Sequence, residues 1–263
     1  MFLSKILKGE GTEQRRQEKN KMQENKIEIE TPDGVMTTFE YHPDEGGPYP
    51  IVLYMMDAPS IRPALREMAS RLATAGYYVL LPFLYYRNSP YKEFGVSDEE
   101  MHQRRELMLS VNRRDALKDV EAMLAFAETR PEADTRAKIG AVGFCMSGPL
   151  VLGMAQNMPV KVGAVASVHG AWLVNDKPDS PHRELDNIAA EVYFAWADDD
   201  PTATLEEMKL MDQALRDHGL NYRIDFMKGA LHGFAPPGGE RYDQDAAERH
   251  WERVFDLFKR NLG

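Results

Sequence analysis

The stretch Ala137-Lys-Ile-Gly-Ala-Val-Gly-Phe-Cys-Met-Ser-Gly-Pro-Leu-Val-Leu-Gly153 carries an apolar strand into a helix, and the turn between them holds Cys145, the single cysteine of the 263 residues. A strand-to-helix turn sharp enough to present a nucleophile needs small residues two positions before and after it, because the two backbones pass close together. Gly143 and Ser147 meet that requirement. The helix that follows aims its first backbone N–H groups back at the turn, where they stabilise a thiolate and then an oxyanion. The Met146 N–H is one such donor. Taken alone, a lone cysteine reads more readily as a small buried hydrophobe, so its meaning depends on what the rest of the chain supplies.

Outward from the turn, the chain alternates strand-like and helix-like stretches. Short runs at Ile51–Met55, Tyr77–Leu81, Ile139–Val142, Val162–Val168, Val192–Ala197 and, more weakly, Tyr222–Phe226 are mostly apolar throughout, as parallel strands buried on both faces are. Helical patterns at 63–75, 98–129, 147–157, 204–218 and 243–261 have the length that crossovers between parallel strands require. Lys26–Thr31 and Val35–Tyr41 flank Pro32-Asp33-Gly34 as an antiparallel hairpin. The expected fold class is α/β: a mostly parallel central sheet, helices on both faces, and an N-terminal hairpin. No repeat or linker interrupts residues 26–263, which read as a single domain. Residues 1–25 read as a polar N-terminal extension. Residues 1–26 carry seven basic and four acidic side chains. Phe2, Leu3, Ile6 and Leu7 would share one face of a short helix there, although a frayed end is the commoner outcome.

Composition narrows the function. Thirty-two Lys and Arg against 42 Asp and Glu give a net charge of −10, which argues against nucleic acid or an anionic membrane surface as partner. One cysteine forms no intramolecular disulfide, and no Cys/His cluster or HExxH spacing offers a metal site. No signal-like or 20-residue apolar run occurs, so a cytoplasmic location is the expectation.

Partners for Cys145 follow in the order nucleophile, acid, histidine. After Val192–Ala197 come Asp198-Asp199-Asp200-Pro201, at the end of a strand where ligand-facing loops of a parallel sheet emerge. One of these carboxylates is a candidate orienting acid; a solvated loop or a helix cap before Thr204 is the alternative. His232 follows the last strand beside Gly233, in a loop position suited to a general base. His169, at the end of Val162–Val168, precedes the aspartates and reads as a pocket wall or a core histidine. Tyr54, Tyr85, Tyr86, Trp172, Trp196 and Phe234 fall near the C-terminal strand edges, to line an apolar pocket or to pack against covering helices. The segment 98–129 and the loop Asn88–Gly95 before it are placed to shield the site.

From about Lys26 onward the chain resembles the dienelactone hydrolase family of α/β-hydrolases. The resemblance rests on Gly143-Phe-Cys145-Met-Ser147-Gly148, Asp200-Pro201 and His232-Gly233-Phe234-Ala235, with Arg66–Ala73, Ala75-Gly-Tyr77 and Leu81-Pro-Phe-Leu-Tyr-Tyr-Arg87 in support. It implies an α/β-hydrolase fold and a triad of Cys145, His232 and Asp200, the last because it directly precedes the proline. It also implies Asp57 in the place of a glutamate that contacts the resting thiol, and the Ala58 N–H as a second oxyanion donor beside that of Met146. Two departures stand out. Pro236 occupies the place of an arginine that holds the substrate carboxylate, leaving Arg62, Arg87, Arg104 or Arg105 as substitutes. Ser147 replaces a glycine, with its hydroxyl free to cap the following helix.

The activity implied is hydrolysis of a small ester or lactone through a thioester acyl-enzyme, with no cofactor or metal and a small molecule as the only required partner. Monomer and homodimer stay open. Cysteine favours activated esters, because thiolate leaves a tetrahedral adduct more readily than an amine does. The alternative is a lactone-binding sensor on the same fold without turnover. A redox role for Cys145 lacks a resolving cysteine.

Overall fold

In the computed structural model, which describes residues 22–262, the apolar runs form the middle of a nine-stranded sheet. The strands are β1 (Met22–Thr31), β2 (Gly34–Pro43), β3 (Tyr49–Met55), β4 (Tyr78–Pro82), β5 (Ala133–Asp134), β6 (Ile139–Phe144), β7 (Val162–Val168), β8 (Glu191–Asp199) and β9 (Tyr222–Leu231). Their order is β1-β2-β4-β3-β6-β7-β8-β9, with β5 paired to β3 off that path. Pairing is antiparallel for β1–β2 and β2–β4 and parallel from β4 through β9. Every residue of β4, β6 and β7 is buried, which is why their sequences show no alternation.

The helices are α1 (Pro63–Thr74), α2 (Asp98–Ser110), α3 (Arg113–Ala127), α4 (Gly148–Asn157), α5 (Leu205–Asp217) and α6 (Gln244–Asn261). Side chains alternate faces along a strand, and β6 shows both layers. Gly140 faces Phe258 of α6, whereas Gly143 faces Val151 of α4. Arg71 joins α1 to α6 on the first face, pairing with Glu248 at 2.6 Å and lying over Trp251. The local signals that start helices are present: Pro63 in the first turn of α1, a Thr204/Glu207 capping box on α5 and Asp243 capping α6.

Three boundaries differ from the sequence reading. The segment 98–129 is two helices, because Val111 turns extended and Asn112 caps α3 by accepting from the Asp115 N–H; apolar periodicity runs across the break and conceals it. The hairpin is longer at both ends, with Thr31 opposite Gly34, and begins at Met22. Strands β8 and β9 run on to Asp199 and Leu231. The Phe2, Leu3, Ile6 and Leu7 face lies outside the described residues. Among the described residues no helix is long and apolar enough to cross a membrane.

Parallel pairing sends the C-terminal ends of β3, β6, β7, β8 and β9 to one edge. Asp57, Cys145, His169, Asp200 and His232 therefore meet there from five separate stretches of chain.

Candidate active site

Cys145 sits between β6 and α4 with φ +54°, a strained conformation for a residue with a side chain and the one that pushes the thiol out of the turn. The backbone is pinned on both sides. Ala171 N–H donates to the Cys145 carbonyl at 2.9 Å, and Ser147 Oγ donates to the Met56 carbonyl at 2.5 Å. Ser147 thus makes no cap for α4; it ties the Cys145 turn to the loop that carries Asp57 and Ala58.

His232 follows β9 directly, its N–H bonded to the Asp199 carbonyl at 3.2 Å. Its Nε2 lies 3.1 Å from Cys145 Sγ and its Nδ1 2.6 Å from Asp200 Oδ2. The other carboxylate oxygen, Asp200 Oδ1, accepts from the Thr202 N–H at 2.8 Å and the Thr202 hydroxyl at 2.7 Å. Thr202 was not singled out in the sequence, although an Asp two residues before a Thr is a recognisable turn signal. Asp198 and Asp199 are exposed, and Asp198 is occupied by the Gly229 N–H. Asp200 is the aspartate of the three that reaches the histidine. Burial opposes a charge on His232, yet its hydrogen bonds to Asp200 and Cys145 outweigh burial and push its pKa up to about 10.

The thiol opens into a cleft of about 750 Å³ that also touches Asp57, Ala58, Arg62, Arg104, Arg105 and Arg241. Asp57 does not contact the thiol through a hydrogen bond. Its two oxygens go to Arg62, at 2.6 and 2.8 Å. The shorter aspartate is matched by a neighbouring arginine five residues on, and the thiol's partner is His232 instead. Tyr85 donates to the Ala58 carbonyl at 2.9 Å and so holds this loop. His169 lies at the cleft floor, 1% exposed and edge-on to His232 with ring centroids 5.2 Å apart. Burial, reinforced by the neighbouring His232, holds its pKa well below the usual range, so it is neutral.

Six side chains expected at the pocket lie elsewhere. Arg87 pairs with Asp33 at 2.8 Å and Asp119 at 2.7 Å, and Tyr86 donates to Asp119 at 2.7 Å, so both fasten the hairpin to α3. Phe234 is fully buried behind His169 and His250. Trp172 is outside this cleft but lines an adjoining one. Tyr54 and Trp196 are core residues. Of the four substitute arginines, Arg87 is thereby excluded and Arg62 is clamped by Asp57. Arg104 and Arg105 remain. With Met101 and Met108 they line the cleft at i, i+3, i+4 and i+7 on α2, so a single helical face looks onto the thiol.

Among the described residues no group of three His, Cys, Asp or Glu side chains is arranged to hold a metal ion.

The sequence matches the Dienelactone hydrolase family over residues 36–262. A Synechocystis sp. protein provisionally named a carboxymethylenebutenolidase is 29% identical over 219 residues, covering 82% of this chain and 88% of its own length. A Bradyrhizobium sp. protein, provisionally named a 2-oxo-3-(5-oxofuran-2-ylidene)propanoate lactonase, is 27% identical over 82% of this chain and 86% of its own. In fold, a crystal structure from Klebsiella pneumoniae, provisionally named a dienelactone hydrolase, superposes with a TM-score of 0.82 at 22% identity, covering 91% of this chain and 99% of that one. The α/β-hydrolase architecture, the sharp strand-to-helix turn at Cys145 and the match over most of the chain agree, and this protein belongs to the dienelactone hydrolase family of ester and lactone hydrolases.

Proposed function

We propose that this protein hydrolyses a small lactone or activated ester bearing a carboxylate, with Cys145 as nucleophile. The observation that carries the reading is the continuous relay from Cys145 Sγ through His232 to Asp200, at 3.1 and 2.6 Å, on a strained nucleophile turn. The Cys145 thiolate attacks the carbonyl carbon, and the Ala58 and Met146 N–H groups receive the oxyanion. The ring C–O bond breaks, and the His232 imidazolium gives its proton to the departing oxygen. Water then adds to the thioester with His232 as base, releasing the acid and restoring the thiol. Asp200 fixes the His232 tautomer throughout.

The test is multiple-turnover hydrolysis of p-nitrophenyl acetate and a lactone panel, with acid-quenched samples weighed by mass spectrometry. The expected result is turnover together with an acyl adduct on Cys145. Turnover without the adduct overturns the cysteine mechanism. Lactone binding without turnover moves the sensor reading ahead.

A raised His232 pKa keeps the imidazolium from neutral pH up to about 10. That proton is the one the leaving oxygen needs, so kcat/KM holds through neutral pH and falls only as the pH passes about 10. A pH profile on a neutral ester, corrected for spontaneous hydrolysis, checks this; a fall beginning near the ordinary histidine value contradicts it.

A carboxylate on the substrate is read by Arg104 and Arg105, since Pro236 offers no cation and α2 aims both arginines at the cleft. The Bradyrhizobium relative, named for a propanoate lactone, supports that substrate class. Replacing both arginines by alanine is expected to raise KM for a carboxylate-bearing lactone by about ten- to a hundred-fold. KM for p-nitrophenyl acetate serves as the comparison, and an equal rise for both substrates argues against the role.

A further inference from the structure

Beside the catalytic cleft lies a second cavity of about 230 Å³, lined by apolar residues that include Met108, Val111, Met146, Leu150 and Trp172 and, as well, by Asn112, Arg113, Asn175, Lys177 and Asp179. The two spaces adjoin. Met108 lines both, and Met146 is the residue immediately after the nucleophile. Trp172 is 42% exposed, whereas Trp196 and Trp251 are each 3% exposed. Its backbone stands at φ +55°, and its N–H is held by the Thr202 carbonyl at 2.9 Å. That Thr202 is the one that fixes Asp200. An indole left open to water on a strained backbone contributes nothing evident to the core. Tethered through Thr202 to Asp200 and facing a hollow of mixed apolar and polar lining, it is placed to stack on the flat face of a ligand.

We infer that this cavity is a second substrate subsite, which takes an aromatic or flat apolar arm of an ester whose reacting carbonyl sits at Cys145, with Trp172 as the stacking residue. The inference builds on the hydrolase reading for the identity of the ligand, but the site itself is detectable without turnover. A small lactone fills the first cleft alone; a substrate with an arm spans Met108 and enters the second. The arm belongs to either the alcohol or the acyl part, and two esters distinguish them.

The experiment compares vinyl acetate, which has no arm, with p-nitrobenzyl acetate and vinyl 3-phenylpropanoate. Trp172→Ala is expected to lower kcat/KM for one armed ester, relative to vinyl acetate, by about ten-fold and chiefly through KM. Trp172→Phe restores most of the ratio, and Val111→Phe, which fills the cavity, lowers it as Trp172→Ala does. In parallel, p-nitrobenzyl alcohol is titrated into Cys145→Ala and Cys145→Ala/Val111→Phe while tryptophan emission is followed. Saturable quenching in the first that becomes unsaturable in the second supports the subsite even where the wild type hydrolyses nothing, a result that would remove only the hydrolytic reading. Equal loss on all three esters, an unchanged ratio in both Trp172→Ala and Val111→Phe, or unsaturable quenching in both proteins overturns the inference.

Discussion

On the proposed mechanism, Cys145→Ala is expected to lose about 10⁴-fold or more of kcat/KM on lactones and p-nitrophenyl esters alike. The size follows from the absence of a substitute. Ser147, the nearest hydroxyl in the chain, is turned away to the Met56 carbonyl at 2.5 Å, and neither Asp57, paired to Arg62, nor neutral His169 is a free nucleophile at the cleft. Only general oxyanion binding and water remain. Asp200→Asn is expected to fall nearly as far, by about 10³- to 10⁴-fold, because an amide at Asp200 both admits the wrong histidine tautomer and withdraws the charge that steadies the imidazolium. The two losses are not additive, since both residues act through His232. Single-turnover and steady-state rates on purified variants, with melting temperatures to exclude unfolding, check the pair. A Cys145→Ala variant within ten-fold of wild type would sink the mechanism and leave the fold intact.

The meeting of Cys145 and His232 at one sheet edge was legible because each carries a local signature at a strand end. Gly143 and Ser147 bracket the cysteine, and a glycine follows the histidine. The choice among three aspartates was not legible from strand and loop alone. It turns on β8 running to Asp199, which leaves Asp198 for the Gly229 N–H and turns Asp200 inward beneath Thr202. Only the proline beside Asp200, read through the family resemblance, pointed the same way.

The pocket was harder to read because its partners are remote in sequence. Arg87 meets Asp33 and Asp119, 54 and 32 positions away, and nothing local announces either. Aromatics at strand ends look alike whether they face a ligand or a helix, and Phe234 and Tyr86 took the second course. The reverse holds for α2. Met101, Arg104, Arg105 and Met108 keep helical spacing in the sequence, but a face that mixes charge with methionine resembles a solvated surface until the cleft beneath it is seen. Charge placement at the site is therefore a tertiary property, whereas the sharp turn at Cys145 is a local one.

Gly143→Ala separates that turn from the helix behind it. A methyl at position 143 would stand 2.3 Å from the Ser147 carbonyl oxygen and 2.7 Å from its carbon. Both atoms are backbone, so no rotamer relieves the clash. The turn must open instead. Opening is resisted by the Ser147 bond to Met56 and by the Ala171 bond to the Cys145 carbonyl, so the strain appears as lost stability of about 3 kcal/mol. In a chain of this size that lowers Tm by about 6–12 °C. Whatever movement does occur displaces Sγ from its 3.1 Å contact with His232, and a misplacement of about 1 Å costs about 100-fold in kcat. Gly153→Ala, ten residues along in α4, is the control: its methyl meets only the Arg113 side chain, at 3.4 Å, and alanine in a helix interior gains about 0.5–1 kcal/mol over glycine. The two substitutions add the same methyl to one strand-turn-helix unit, and only the first should cost stability and rate together. If Gly143→Ala keeps both, backbone crowding is not what holds Cys145 at positive φ, and the constraint lies in the hydrogen bonds to Met56 and Ala171.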